Sequence, residues 1–241
     1  MNTKLRKLKG PNVRVGNLLG QLCKYINAKT VVEIGVQHGR TTVELAKAVK
    51  GVFGGMVYGY DFFAPIGRGY SGQYARSAGN KEVTIKALRG YENYVKITGV
   101  DTHSDEFPKI LKEDLKTESI DFAFIDADHS YSGSRKDFEI IYPLLSEDGV
   151  IAFHDTHSHI GLRRLVMDLY EDLNDGTFDI VNLPFGFGDR RDGITLLSKR
   201  GYFGESSGIL STQHDPELCK EEVCEIENSW YQSKLDERKN K

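Results

Sequence analysis

Residues 31–42 of this 241-residue chain read Val31-Val32-Glu33-Ile34-Gly35-Val36-Gln37-His38-Gly39-Arg40-Thr41-Thr42. The β-branched and apolar residues before Gly35 are typical of a buried strand, and the residues after Gly39 begin a helical pattern. Because glycine has no Cβ, the turn between strand and helix lets the backbone approach a ligand closely. The carboxylate of Glu33, at the strand end, can accept hydrogen bonds from a ligand or pair with a positive charge on it.

A strand followed by a glycine-containing turn and a helix is typical of two kinds of nucleotide-binding site. In the dinucleotide fingerprint Gly-x-Gly-x-x-Gly the glycines admit a pyrophosphate, but Val36 and Gln37 follow Gly35 and would crowd that group. The acid-x-Gly-x-x-x-Gly spacing instead resembles motif I of the class I S-adenosylmethionine-dependent methyltransferases. The resemblance implies that S-adenosylmethionine binds at this turn, where the cofactor-binding residues would be Glu33, Gly35, Gly39 and Thr41.

Apolar, β-rich runs alternate with helical patterns along the chain. Strands are predicted over 30–35, 56–61, 95–100, 120–126, 149–154, 178–183 and 193–198, and helices over 41–49, 81–91, 107–115, 134–145 and 161–173. This alternation predicts a Rossmann-like α/β fold with a seven-stranded, mostly parallel sheet and helices on both faces. The Gly-rich connection 184–193 leaves no room for a crossover helix, so a C-terminal antiparallel hairpin is expected.

The chain divides into three predicted segments. Residues 1–29 carry an apolar helical face and are expected to form an N-terminal helical cap. Residues 30–200 form the class I methyltransferase domain that the resemblance implies. Residues 201–241 are a polar C-terminal tail with a weak helical pattern, for which a peripheral helix and an oligomer contact through Trp230 are both open, so a homo-oligomer stays one of the alternatives.

Composition narrows the class of partner. A formal net charge of -3 gives no basic footprint for nucleic acid. The start of the chain lacks the apolar region of a signal peptide, and no apolar run is long enough to span a bilayer. The odd and sparse count of three cysteines fits a reducing compartment. We therefore expect a cytoplasmic protein that acts on a small-molecule or glycan acceptor, with neither nucleic acid nor membrane as partner.

Polar residues follow several strands at the carboxyl edge of the predicted sheet, where open α/β sheets bind ligands. Asp61 ends the second strand, and the resemblance assigns it to the ribose hydroxyls; a helix cap or a solvated turn residue is the alternative. Ser104 and Asp105, after the third strand, loosely match the residues that meet the adenine in catechol-type O-methyltransferases. Capping of the next helix explains these two residues equally well.

Two further acids end the fourth and fifth strands. Asp126 closes the fourth strand and Asp155 follows the fifth, so neighbouring parallel strands would place both carboxylates side by side above the cofactor. Such carboxylates repel each other unless they share a proton or a cation. Oxygen ligands suit Mg²⁺ or Mn²⁺. A divalent metal bound by Asp126 and Asp155 is therefore predicted, with helix-capping or water-binding aspartates as the alternative.

The two segments that carry these acids are Ile125-Asp126-Ala127-Asp128-His129-Ser130-Tyr131 and Phe153-His154-Asp155. They resemble the metal-dependent O-methyltransferases of the catechol type and the macrolide-sugar type, in which both strand-ending acids bind the metal. The catechol type has Asn after its second acid. Thr156 stands there in this chain and is the predicted third ligand, with His154, His157 or water as alternatives; the imidazoles would also permit Fe²⁺ or Zn²⁺.

The macrolide-sugar type also supplies a candidate base. Its general base is a histidine three residues after the first acid, a position that His129 occupies relative to Asp126. These two residues are the predicted catalytic pair, because a metal lowers the pKa of an acceptor hydroxyl and an imidazole can take the proton near neutral pH. Simple packing or local hydrogen bonding of His129 is the alternative.

The sequence thus predicts a metal-assisted O-methyltransferase that modifies a sugar hydroxyl, whether free, nucleotide-linked or glycan-borne. Within the same class, a phenolic or other natural-product hydroxyl is the main alternative acceptor. From other classes, a nicotinamide-dependent oxidoreductase and a cofactor-binding module without turnover remain.

Overall fold

A computed structural model of the chain describes residues 11–63, 79–174, 176–184 and 192–200, with side chains from Val15 onward. Its helices are α1 (Pro11–Tyr25), α2 (Arg40–Val49), α3 (Lys81–Ala87), α4 (Phe107–Leu115), α5 (Tyr131–Ile141) and α6 (Ile160–Glu171). Its strands are β1 (Thr30–Ile34), β2 (Met56–Asp61), β3 (Val95–Gly99), β4 (Ile120–Ile125), β5 (Leu145–His154), β6 (Phe178–Leu183) and β7 (Ile194–Lys199). The predicted tail 201–241, including Trp230, lies outside the described residues.

The seven strands form one sheet in the order β3-β2-β1-β4-β5-β7-β6. Strands β1 to β5 pair in parallel, and β7 pairs antiparallel with both β5 and β6. The predicted fold class and the terminal hairpin are therefore confirmed. The chain order reverses direction on either side of β1 and β4, and in open α/β sheets this switch point is where ligands bind.

The sheet is buried by helices on both faces. Alternate residues of β1 face opposite sides, so Val32 and Ile34 join the core beneath α4, α5 and α6, whereas Val31 packs toward α1 and α2 with Phe122 and Phe124. Helix α1 lies close against α2, and a Cβ at Gly20 would stand 2.9 Å from the carbonyl oxygen of Glu44. Helix α1, which lies within the segment predicted to be an N-terminal cap, therefore covers α2 at this face.

Helix α5 and strand β5 both begin earlier than predicted. Helix α5 starts at Tyr131, three residues earlier than predicted, because the Ser130 side chain accepts a hydrogen bond from the amide of Gly133 and caps the helix. It ends at Ile141, since Pro143 lies in a following 3₁₀ turn. Strand β5 starts at Leu145 rather than residue 149, because Leu145 is buried in the core and pairs with β4.

No helix in the described ranges is long and apolar enough to cross a lipid bilayer.

Replacing Gly35 by Ala should destabilise the whole domain. Gly35 has a φ of 95°, and a Cβ there would overlap the carbonyl oxygen of Asp126 and lie 2.8 Å from the amide nitrogen of Ala127. We expect a loss of roughly 3 kcal/mol or more in the free energy of unfolding, measured by urea denaturation. Gly90→Ala is the matched control, because Gly90 has a φ of 86° but no atom within 4 Å of its added Cβ. That variant should lose only about 1 kcal/mol; equal losses would contradict the packing of the β1 turn on β4.

Candidate active site

The turn after β1 ties the ends of three strands together. Gly35 donates its amide hydrogen to the carbonyl of Tyr60 on β2 at 2.9 Å, and Asp126 donates to the carbonyl of Ile34 at 2.8 Å. Gly35, Gln37 and Gly39 all have positive φ angles, which gives the sharp reversal into α2. Position 35 therefore requires glycine because the backbone at the end of β4 leaves no room for a side chain. From the sequence, the expected reason was the close approach of a ligand.

Glu33 is a buried carboxyl for which the described residues supply no hydrogen-bond partner. Its side chain is 1% exposed, and within the described residues neither oxygen makes a hydrogen bond. Burial raises the pKa of Glu33 to about 8, an effect that the nearby Thr42 hydroxyl offsets only in part and that the negative charges of Asp126 and Asp61 reinforce. An unpaired buried carboxyl is costly. The site therefore fits a ligand that brings a donor or a positive charge to Glu33.

Asp61 holds the same turn from the end of β2. One carboxylate oxygen accepts from the amide of Gln37 at 2.7 Å, and the other accepts from the amide of Phe63 at 2.8 Å. Each carboxylate oxygen offers two lone pairs, so each can still accept a hydroxyl. Asp61 is neither a helix cap nor a purely solvated residue: it orders the turn and keeps the capacity to bind a ribose.

The other predicted cofactor residues lie around this edge. Thr41 is buried in the first turn of α2. Ser104 donates its hydroxyl hydrogen to the carbonyl of Asp101 at 2.8 Å, and Asp105 is exposed. Neither caps α4, whose N-terminal flanking residue is Glu106 and has no side-chain cap. The structure thus leaves their predicted contact with adenine as a prediction.

Asp126, Asp155, His129 and His154 converge where β4 and β5 end. The Asp126 Oδ1 atom lies 3.1 Å from Nδ1 of His154 and 3.3 Å from Nε2 of His129. The same His129 nitrogen is 3.4 Å from Oδ2 of Asp155, and His154 Nδ1 is 3.6 Å from Asp155 Oδ1. One donor atom each from Asp126, His154 and Asp155 falls within 4.8 Å of the others, a spacing that could hold a metal ion.

Charge balance in this cluster depends on the imidazoles. Burial disfavours the Asp126 carboxylate, but the imidazoles of His154 and His129 outweigh it and hold its pKa below the usual range. Burial likewise disfavours a charged His154, yet Asp126 and Asp155 raise its pKa to about 9. His129 shows the same balance with a raised pKa, while burial dominates for Asp155 and raises its pKa. Protons on imidazole thus compensate charges that a cation would otherwise compensate.

The residues after Asp155 take separate roles. Thr156 is buried and its hydroxyl has no hydrogen-bond partner among the described residues. His157 directs Nε2 to Oδ1 of Asn182 at 3.1 Å, which takes it away from the cluster. His159, which no motif singled out, brings Nε2 within 3.7 Å of Asp155 Oδ2 and stacks on the ring of His129. Its signal in the sequence was a histidine four residues after the second acid, at the start of a helix.

Comparisons with known proteins show the family and the fold of this chain. A family model described as a methyltransferase domain matches residues 32–156. No curated protein matches the sequence. Among the solved structures that share the fold are three methyltransferases. An O-methyltransferase from Bacillus cereus in complex with SAH is 18% identical, covers 80% of this chain and 82% of its own, and has a TM-score of 0.59.

The other two structures are equally distant in sequence. The O-methyltransferase TomG from Streptomyces achromogenes, involved in tomaymycin synthesis and solved with SAM, is 18% identical, with 78% and 80% of the two chains covered and a TM-score of 0.58. A methyltransferase from Geobacter sulfurreducens is 19% identical, with 78% and 79% covered and a TM-score of 0.56.

Stability of the metal-free protein should fall between pH 6.5 and 9 because of His154. Its pKa rises from an ordinary 6.5 to about 9 in the folded chain, so its stabilising contribution is complete below pH 6.5 and disappears as the pH passes 9. The contribution is on the order of 3 kcal/mol. Urea denaturation after chelation, across this pH range, should show a smaller decline for His154→Gln than for the parent. Equal declines would show that His154 does not gain a proton on folding.

Proposed function

We propose that this chain methylates a sugar hydroxyl with the help of a divalent cation. It belongs to the methyltransferase domain family and is a class I S-adenosylmethionine-dependent methyltransferase. The observation that carries the proposal is the convergence of Asp126, Asp155, His154 and His129 beside the β1 turn. The family assignment removes the nicotinamide-dependent oxidoreductase from the alternatives.

The cofactor is proposed to bind along the β1 turn. Glu33 offers a buried carboxyl that has no hydrogen-bond partner among the described residues, and each Asp61 oxygen can accept a second hydrogen bond from a ribose hydroxyl. S-adenosylmethionine supplies an electrophilic methyl group on a sulfonium. Because its transfer is an in-line displacement, the chain contributes mainly by orienting the two reactants. Glu33 and Asp61 would fix the donor, and the cluster at the ends of β4 and β5 would fix the acceptor.

Asp126 and Asp155 are proposed to hold the cation, which supplies Lewis-acid polarisation of the acceptor hydroxyl. The donor atoms fit this purpose, because the His154 nitrogen stands among the carboxylate oxygens within 4.8 Å. Thr156 has no contact of this kind among the described residues. We therefore place His154 rather than Thr156 as the third ligand. Two carboxylates with an imidazole suit Mn²⁺ as well as Mg²⁺.

His129 is proposed to accept the proton from the acceptor hydroxyl. Its Nε2 atom faces both carboxylates, at 3.3 Å from Asp126 and 3.4 Å from Asp155. A base in this position stands beside any oxygen that a cation at Asp126 and Asp155 would bind. The two carboxylates also stabilise the imidazolium that forms when the proton is taken.

The sugar acceptor is supported by the position of His129, three residues after Asp126, as in the macrolide-sugar enzymes. The phenolic alternative is weaker, because Thr156 stands where the catechol-type enzymes have Asn. Residues 64–78, between β2 and α3, and residues 185–191, between β6 and β7, lie outside the described part of the chain.

Methyl transfer should require a divalent cation. With labelled S-adenosylmethionine and panels of glycosides and phenols, we expect transfer to a glycoside in Mg²⁺ or Mn²⁺, loss of transfer after exhaustive chelation, and recovery when the ion is restored. Asp126→Asn should abolish this recovery. Asp172→Asn, at an exposed acid after α6, is the control and should behave as the parent. Full turnover by the chelated protein would contradict the metal, and transfer to phenols alone would contradict the sugar.

Replacing His129 by Ala should lower kcat by about 10²-fold, because general-base assistance typically contributes that much. Affinity for S-adenosylhomocysteine, measured by calorimetry, should stay within about twofold of the parent value, because the base acts on the acceptor and does not contribute to cofactor binding. His157→Gln is the matched control: His157 bonds to Asn182 rather than the cluster, and glutamine keeps a polar partner there. A near-normal kcat in His129→Ala would reduce His129 to a packing role.

A further inference from the structure

The ring of His159 covers one face of the His129 ring. The two ring centroids are 4.3 Å apart and the planes differ by 23°, which is a stacked geometry. Nothing in the proposed chemistry uses His159, and its side chain is 38% exposed. A polar side chain that is packed in this way against a candidate base therefore calls for a role of its own.

The stack argues against both rings binding one metal ion, although the donor atoms of His129, Asp155 and His159 lie within 4.8 Å of one another. An imidazole lone pair lies in the plane of its ring, and a bound metal sits about 2.1 Å from the nitrogen along that direction. Two nearly parallel planes at this separation send their lone pairs along separate lines. These lines do not meet at a single ion, so the rings are not co-ligands as they stand.

The backbone at the start of α6 also packs on His129. A Cβ at Gly161 would lie 2.5 Å from the carbonyl oxygen of His129 and 2.5 Å from the amide nitrogen of Tyr131. The turn into α6 is itself fixed, because the amides of Ser158 and His159 both donate to the carbonyl of Asp155 at 3.1 Å. Helix α6 thus meets His129 twice, through its backbone at Gly161 and through the ring of His159.

We propose that His159 is a positioning residue, whose ring restricts rotation of the His129 side chain and keeps its Nε2 between Asp126 and Asp155. The proposal rests on the proposed function in one respect, that His129 is the base. The ring contact is the active element. The 3.7 Å approach of His159 Nε2 to Asp155 is secondary, because it is longer than a hydrogen bond.

Side-chain order of His129 tests the proposal directly. The chain has 7 histidines, so protein labelled with ¹³C at histidine Cε1 gives few signals, and His129→Ala assigns the one that matters. With S-adenosylhomocysteine and Mg²⁺ present, we expect an order parameter of roughly 0.8 for the His129 ring in the parent and below about 0.6 in His159→Ala. His159→Phe keeps a flat ring and should restore the parent value.

Two further variants separate the ring from other effects. His159→Gln keeps a polar group near Asp155 but removes the ring, and should behave as His159→Ala. Arg163→Ala lies one turn further along α6 and is exposed; it should leave the order parameter unchanged. Parent-like order in His159→Ala, or rescue by Gln and not by Phe, would overturn the proposal.

Kinetics with the fastest acceptor of the panel give the second readout. His159→Ala should lower kcat about 10-fold with KM for S-adenosylmethionine unchanged, and His159→Phe should recover to within about twofold. In the His129→Ala background the His159 change should add nothing, because it acts through the missing base. Loss of Mn²⁺ binding in both His159 variants, followed by electron paramagnetic resonance, would make His159 a ligand and overturn the proposal. A normal kcat for His129→Ala would instead contradict the proposed function of His129 as the base. The order parameters would still test whether the His159 ring restricts rotation of the His129 side chain.

Discussion

The repulsion between two carboxylates at the ends of adjacent strands is the constraint on which the rest of the site depends. Asp126 and Asp155 are brought together by the parallel pairing of β4 with β5, and burial would drive both toward their neutral forms. Two imidazoles offset this repulsion, because His154 and His129 lie 3.1 Å and 3.3 Å from Asp126. Such a cluster is costly to build, which fits a site kept for chemistry better than one kept for stability.

The second constraint is the close contact between the β1 turn and the end of β4. Because Gly35 packs on the backbone of Asp126, the β1 turn and the first acid of the cluster form one packed unit. Asp61 adds the end of β2 to this unit through its hydrogen bonds to Gln37 and Phe63. In the proposed function this unit would hold both the methyl donor and the acceptor, which suits a reaction that depends on their alignment.

Much of this could be predicted from the sequence because it depends on local pattern. The strand–glycine–helix signal gave β1, the turn and α2, and strand ends gave Asp61, Asp126 and Asp155. Local pattern could not identify His159, because its contact with His129 depends on how α6 packs. Gly161 in α6 packs on the backbone of the loop that follows β4. The proposal of His154 rather than Thr156 as the third ligand also depends on the structure. Strand alternation sends residues 154 and 155 to opposite faces, yet both reach the cluster because Asp155 leaves the strand with a φ of 58°.

That left-handed backbone at Asp155 limits how the enzyme can vary over evolution or in a designed library. Among L-amino acids, asparagine and aspartate adopt such a conformation far more readily than the rest, and glycine adopts it freely. Of these three types only aspartate carries a charge. A glutamate at 155 would preserve the charge but not the preferred backbone, and asparagine would preserve the backbone but not the charge. Almost every substitution at position 155 is therefore expected to lose either the charge or the backbone conformation. Variants that accept new substrates are better sought in the loops around the site.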